Sequence, residues 1–174
     1  MRVVITQDDS IVDIASSKYA AGVRLSHVIE KYMISTPLGK SVNYAVVGSP
    51  EYFRTHAIPA RPQDLPEHTC IQFLYPGRKR YQWQFSKDSE HPEIDIKGMF
   101  EVNDLDMALK LALEGAGMNY VLYEMAEPYL LTGKLVSVIQ DWLPELSGFY
   151  LYYLNRKHSS AASQSFVEYI KNHR

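Results

Sequence analysis

Strand-length apolar runs alternate with capped helical segments along almost the whole chain, and this alternation restricts its fold more than any other feature. The clearest helix starts at Asn103 or Asp104, carries Leu105, Ala108, Leu109, Ala112 and Leu113 at helical spacing, and stops at Gly115. The run Val42–Val47 has strand length and ends at Gly48-Ser49-Pro50. There Ser49 suits an N-cap, and Pro50 suits the first helical position because it has no N–H to waste. Further strands are expected at Val3–Thr6, Val23–Leu25, Cys70–Tyr75, Met118–Tyr123, Leu135–Ile139 and Phe149–Leu154. Further helices are expected at Ile11–Lys18, Glu124–Leu131 and Ser160–Asn172, the last with Ala162, Phe166, Tyr169 and Ile170 as its apolar face. The proline-rich stretch Ala57–Pro66 reads as loop with at most one helical turn. Interleaving of this kind predicts an α/β fold with mostly parallel sheets. One region reads differently: Tyr81–Phe85 alternates with period two and is expected to pair antiparallel with Glu93–Gly98 across the Asp88–Pro92 turn.

Charge and motif content exclude several function classes. A net charge of −2 and a pI near 6.3 provide no basic field to hold nucleic acid. The clusters Arg78-Lys79-Arg80 and Arg156-Lys157-His158 fall in expected turns, where solvation explains them. One cysteine, Cys70, rules out an internal disulfide and fits a reducing compartment. No apolar run approaches the ~18 residues that span a bilayer. The first residues lack an h-region and cleavage site. A soluble, cytoplasmic protein with no membrane partner is therefore expected.

Gly115 and Gly117 follow a helix and precede a strand, the reverse of a dinucleotide-binding turn. His68 and Cys70 share a strand face but supply only two ligands, and nothing in the sequence orients His68 as a base. We therefore expect no metal, no cofactor, no catalytic residue and no enzyme activity.

Binding chemistry is better represented. Arg24 ends an apolar strand, where α/β sheets open their ligand crevice, and its guanidinium can grip a carboxylate with two parallel hydrogen bonds. A salt bridge to Glu30 or another local acid is the competing explanation. Asp9 and Ser10 precede one expected helix, and Asn103 and Asp104 precede another. Open helix starts offer free N–H groups to a polar ligand, although simple capping accounts for the same four residues. Asp9 and Asp104 would repel an anion, so a neutral, hydroxylated or zwitterionic ligand is as plausible as a simple acid.

Several segments, in order, resemble one family. They are Asp13–Leu25; Ala45–Phe53; Pro62-Gln63-Asp64-Leu65 with His68 and Cys70-Ile71; Tyr81–Phe85; Val102-Asn103-Asp104; Leu113–Met118; Leu135–Trp142; and the closing Tyr150–Tyr153 strand plus helix. Each is weak alone, but their shared order resembles the C-terminal effector-binding domain of LysR-type transcriptional regulators. The resemblance implies an α/β, two-lobed, periplasmic-binding-protein type II-like fold. Lobe I would comprise residues 1–40 plus 148–174 and lobe II residues 41–147.

It further implies a small-molecule effector in the interlobe cleft, touched by Arg24 and by both helix starts. Gln72 and Tyr75 would lie on the cleft wall of lobe II. A homodimer or higher oligomer is implied, with DNA bound only through a winged helix-turn-helix that this chain does not contain.

Two departures stand out. Ala20 replaces a common acid, and the first strand and helix of the effector domain have no counterpart, so lobe I reads as incomplete. Its strands Val3–Thr6 and Val23–Leu25 should then be rearranged, paired directly, or completed by a neighbour, because unpaired buried backbone is costly. The alternative readings are a stand-alone solute-binding protein on the same fold and a self-associating fragment without a ligand site.

Overall fold

The computed structural model describes residues 2–7, 19–25, 29, 32–96, 98–154 and 161–172. In chain order the strands are β1 (Gly22–Leu25), β2 (Ile34–Pro37), β3 (Val42–Gly48), β4 (Cys70–Tyr75), β5 (Lys79–Arg80), β6 (Gly98–Val102), β7 (Met118–Leu122), β8 (Val136–Val138), β9 (Glu145–Leu146) and β10 (Phe149–Tyr153). The α-helices are α1 (Pro50–Phe53), α2 (Leu105–Leu113), α3 (Tyr123–Leu131) and α4 (Ala161–Asn172), with short 3-10 turns at Pro62–Glu67 and Gln140–Trp142. They fall into two compact units: residues 1–42 with 146–174, and residues 43–145.

The first unit holds a three-stranded sheet in the order β1-β10-β2. β10 runs antiparallel to both neighbours, with Arg24 opposite Tyr150 and Thr36 opposite Leu151. The second unit is built on a seven-stranded sheet whose main path is β5-β4-β7-β3-β8, with β6 also pairing β4. β4 lies parallel to β6 and β7, whereas β3 runs antiparallel to β7 and β8.

The expectation of mostly parallel sheets is thus corrected. The crossovers through α2 and α3 do keep β4, β6, β7 and β8 in one direction, as βαβ connections must. In each unit, however, the strand by which the chain enters from the other unit, β3 or β10, runs the opposite way and sits between like-directed neighbours. One reversed strand makes two antiparallel pairings, and alternation along the sequence carries no signal of it.

Two faces of the second sheet bury two clusters, because successive strand residues point to opposite sides. Ala45, Val47, Ile71 and Val121 join Ala108, Leu109 and Ala112 of α2 and Ala126 of α3. Val46, Cys70, Met118 and Tyr120 face the other way, under Tyr52 of α1, Leu65 of the first 3-10 turn, Trp83, Phe85 and Ile96. Leu65, Ile71, Met118 and Val121 are at most 1% exposed. Burial of each such side chain contributes roughly 1.5–3 kcal/mol.

The caps form as the sequence implied. Ser49 Oγ accepts the Tyr52 N–H at 3.2 Å, and Asp104 Oδ1 accepts the Met107 N–H at 2.7 Å. Gly115 ends α2 at φ +77°, where a side chain would be strained.

Other local expectations need correction. Residues 2–7 lie outside any strand and are exposed, Ile5 at 90%, so Val3–Thr6 is not a buried strand. It is not paired with β1, whose sheet partner is β10, and the described strands of this unit number three. β1 itself is only partly buried, with Val23 53% exposed. Tyr81–Phe85 keeps its in-out alternation, Trp83 and Phe85 being buried between exposed Gln82 and Gln84, yet it forms no ladder with 93–96. A lone antiparallel bridge, Lys87 with Glu90, is what remains of that hairpin. Side-chain anchoring into the aromatic cluster has replaced backbone pairing there. In α4, Phe166 and Ile170 are half-buried but Tyr169 is 57% exposed. The expected helix Ile11–Lys18 and the side chain of Ala162 lie outside the described residues.

Candidate functional site

The parallel register of β4 and β6 gathers four of the sequence-selected residues into the second unit. Gln72 is opposite Glu101 and Phe73 opposite Val102, so Tyr75 and the pair Asn103-Asp104 all lie at or beyond the carboxyl ends of neighbouring strands. In open α/β sheets this is the edge at which ligands sit. Asn103 and Asp104 are exposed. Asp104 caps α2, satisfying one of the N–H groups that a helix start leaves open. The Asn103 side chain makes no hydrogen bond among the described residues.

Tyr75 is half-buried, its ring perpendicular to Phe73 at 5.5 Å and 6.0 Å from Tyr81. Gln72 is 3% exposed; its Nε2 donates to the Ile96 carbonyl at 3.1 Å, while its Oε1 is buried without a partner. Beside it, a Cβ on Gly98 would stand 2.8 Å from Gln72 Cγ, so glycine there makes room for the glutamine. Arg80 closes the flank with a 2.7 Å hydrogen bond from Nε to Glu101 Oε1.

Sequence reasoning did not single out the aromatic wall behind this edge. Tyr44 of β3 stacks on Tyr120 of β7 at 4.5 Å, and Tyr81 and Trp83 stand 5.8 and 5.4 Å from Tyr120. Burial raises the pKa of Tyr44, Tyr81 and Tyr120 above the ordinary phenol value, so all three are neutral donors at physiological pH. Tyr120 donates to the Gln84 carbonyl at 3.2 Å. The Tyr81 hydroxyl lies close enough to Tyr44 for the two to influence each other's ionisation, yet it forms no hydrogen bond of ordinary geometry. The period-two pattern of 81–85 was the available signal, but it could not name Tyr44 and Tyr120 as partners.

Arg24 belongs to the first unit. The Tyr152 ring lies over Gly22, where an added Cβ would stand 2.7 Å from the ring. That placement brings the Tyr152 hydroxyl to 3.1 Å from Arg24 Nε, which donates to it. Glu30, the acid suspected as its partner, lies outside the described residues, as do Asp9 and Ser10.

His68 and Cys70 part company: His68 precedes β4 and turns to Tyr52, while Cys70 points into the core toward the Leu65 carbonyl. Burial pushes the Cys70 thiol up to about 12, which leaves it protonated and a poor nucleophile. Among the described residues no three His, Cys, Asp or Glu side chains come together as a metal site. No helix among them is long and apolar enough to cross a membrane.

Comparison with known proteins decides the family. The family described as "LysR substrate binding domain" matches residues 1–174. The chain belongs to that family. It is therefore of the effector-sensing domain class of LysR-type transcriptional regulators. It is 43% identical over 171 residues to an uncharacterized HTH-type transcriptional regulator, YcaN, of Escherichia coli, covering 98% of this chain and 56% of that protein. It is 29% identical over 168 residues to the HTH-type transcriptional regulator PgrR of the same organism, covering 96% and 56%.

The chain thus spans about half the length of the curated relatives it matches. In structure it is similar to the regulatory domain of AphB in Vibrio vulnificus, with a TM-score of 0.74 at 22% identity over 93% of this chain and 78% of that one. It is also similar to CrgA, a LysR-type regulator from Neisseria meningitidis, with a TM-score of 0.72 at 19% identity over 92% and 54%. These likenesses fix the fold as the periplasmic-binding-protein type II-like one.

Proposed function

We propose that this domain senses a small-molecule effector for a LysR-type regulator. In this reading lobe I is residues 1–40 plus 148–174, lobe II is residues 41–147, and the effector sits between them. Arg24, Gln72, Tyr75, Asn103 and Asp104, together with Asp9 and Ser10, supply its polar contacts. The observation that carries the reading is the convergence of Tyr75, Asn103 and Asp104 at the carboxyl edge of β4 and β6, in a chain of this family.

An exposed carboxylate at that edge favours an effector with hydroxyl or ammonium donors. Arg24, in the first unit, can grip a carboxylate, so a hydroxylated or zwitterionic acid fits this reading. The protein works in the cytoplasm as a homodimer or higher oligomer, and reaches DNA through a winged helix-turn-helix outside this chain. Effector binding shifts the regulator only through differential affinity for its two arrangements.

A thermal-shift screen of small polar metabolites tests this, followed by calorimetry on the hits. A true effector at about 100-fold above its Kd stabilises by roughly 2.7 kcal/mol. Arg24→Ala and Asp104→Ala should each weaken it tenfold or more while leaving the fold intact. Absence of binding across hydroxy acids, amino acids and simple acids, with the protein shown to be folded, overturns the reading.

A further inference from the structure

We propose that Tyr52, His56 and His68 form a proton-sensitive latch that fastens the excursion from Pro50 to Thr69 over the aromatic face of the second unit's sheet. The latch lies at the amino end of β4, whereas the proposed effector contacts lie at its carboxyl end, so the two readings stand or fall separately.

Hydrogen-bond bookkeeping constrains where the protons are. The Thr69 N–H donates to Tyr52 Oη at 3.0 Å, and His68 Nδ1 lies 3.1 Å from the same oxygen. The latch assigns the phenol's own hydrogen to His68 Nδ1, which accepts it, with the His68 proton on Nε2. His56 Nδ1 lies 3.0 Å from both the Tyr52 carbonyl oxygen and the Thr55 hydroxyl, so it either donates to the carbonyl or accepts from Thr55 Oγ1. The His56 ring lies flat on Tyr52, 4.1 Å between centroids and 6° between planes, and 6.3 Å from His68. Tyr52 is 3% exposed and belongs to the core with Leu65, so this chain of contacts ties α1 and the 3-10 turn to the start of β4.

Acid reverses one link. A proton on His68 Nδ1 replaces an acceptor with a donor, facing an oxygen that already receives the Thr69 N–H. The phenol hydrogen then has to leave its acceptor in a partly buried setting. The surrounding charges are few. Burial holds His68 below the ordinary imidazole range and nearby His56 adds to this, while Asp64 and Glu67 of the 3-10 turn pull it back part of the way. Cys70 on β4 is a neutral thiol, and Glu51 and Arg54 on the α1 segment neutralise each other at 2.7 Å.

Because the folded state favours neutral His68, its contribution is fully present above the unfolded histidine value of about 6.5. It is lost as pH falls below that value toward the lower folded one. Acidification therefore loosens the excursion.

Nitrogen-15 NMR of the histidine rings between pH 5 and 8, on the 174-residue chain, tests the latch. His68 should appear as the Nε2–H tautomer, with a midpoint below 6.5 that the Thr69 amide shift follows. Tyr52→Phe, which keeps the ring, should move that midpoint upward. In parallel, His68→Asn retains a non-titrating acceptor near the Nδ1 position. Between pH 7.5 and 5.5 its melting temperature should fall by about 2–4 °C less than that of the natural protein. An Nδ1–H tautomer at His68, a midpoint at or above 6.5, or equal pH dependence in the two proteins overturns the proposal.

Discussion

The two faces of the second unit's sheet are packed by different means. On one, α2 and α3 lay down small residues, Ala108, Ala112 and Ala126, which let helix backbones approach Val47, Ile71 and Val121 closely. On the other, irregular chain supplies Tyr52, Trp83, Phe85 and Ile96 over Val46, Met118 and Tyr120. Helices bring their own hydrogen bonds, so that face depends mainly on fit; its exception is Asn119 of β7, opposite Val47 and Ile71, whose Nδ2 is buried without a partner. Irregular chain has no such ladder and must satisfy its polar groups one by one, through contacts such as Tyr120 to the Gln84 carbonyl and Gln72 to the Ile96 carbonyl. The price is imperfection: Gln72 Oε1 and the Tyr81 hydroxyl go unpaired there, against Asn119 Nδ2 alone on the helical side among the described residues. The groups with displaced titration, among them Tyr81, Tyr120, Cys70 and His68, also collect on or beside this face.

The comparison can be broken most forcefully at its largest side chain. Trp83→Ala, at 6% exposure and stacked on Tyr120, should cost about 3–5 kcal/mol in urea unfolding and erase much of the near-ultraviolet tyrosine signal. Leu109→Ala on the helical face should cost no more than this and leave that signal in place. If Leu109→Ala is the more damaging change, the aromatic face is not the stronger anchor. The helical face should instead resist growth: Ala112→Leu, with no exposure at all, is expected to lose roughly 1–3 kcal/mol by overpacking.

These faces also differed in how far the sequence revealed them. The spacing Leu105, Ala108, Leu109, Ala112 announced α2 because a helix repeats locally, and Asp104 and Gly115 marked its ends. The run Cys70–Tyr75 was equally plain. The reversed direction of β3 and β10 was not, since pairing partners come from distant sequence and alternation is blind to them. For the same reason Tyr81–Phe85 has the pattern of half a hairpin without forming one: period two records burial, not hydrogen bonding. At the candidate site, Asn103 and Asp104 were legible as a helix start and Tyr75 as a strand end. Their meeting depended on the parallel register of β4 with β6, a long-range fact. The stack of Tyr44, Tyr81 and Tyr120 joins three separate segments and left no local trace.

At the edge itself, Asp104→Ala should destabilise by about 1 kcal/mol through loss of the cap on the Met107 N–H, and Asp104→Ser should restore most of it. Chemical denaturation measures both. Equal losses in the two variants would mean that the carboxylate's charge, not its hydrogen bond, holds the start of α2.

The smallest expected effect is the most discriminating. Tyr81→Phe deletes a buried hydroxyl that lies near Tyr44 but makes no hydrogen bond of ordinary geometry, in a ring that stays packed against Tyr44 and Tyr120. A satisfied buried hydroxyl contributes about 0.5–1.5 kcal/mol net, while an unsatisfied one carries a desolvation cost. The change should therefore leave stability unaltered or raise it by up to about 1 kcal/mol, with the pairing of the Tyr81 N–H to the Phe73 carbonyl at 2.9 Å undisturbed. A loss of more than about 1 kcal/mol would mean the hydroxyl has a bound partner in solution. Each face would then keep one unpaired buried polar atom, Gln72 Oε1 on the aromatic side and Asn119 Nδ2 on the helical side, and the contrast between them would rest on shape alone.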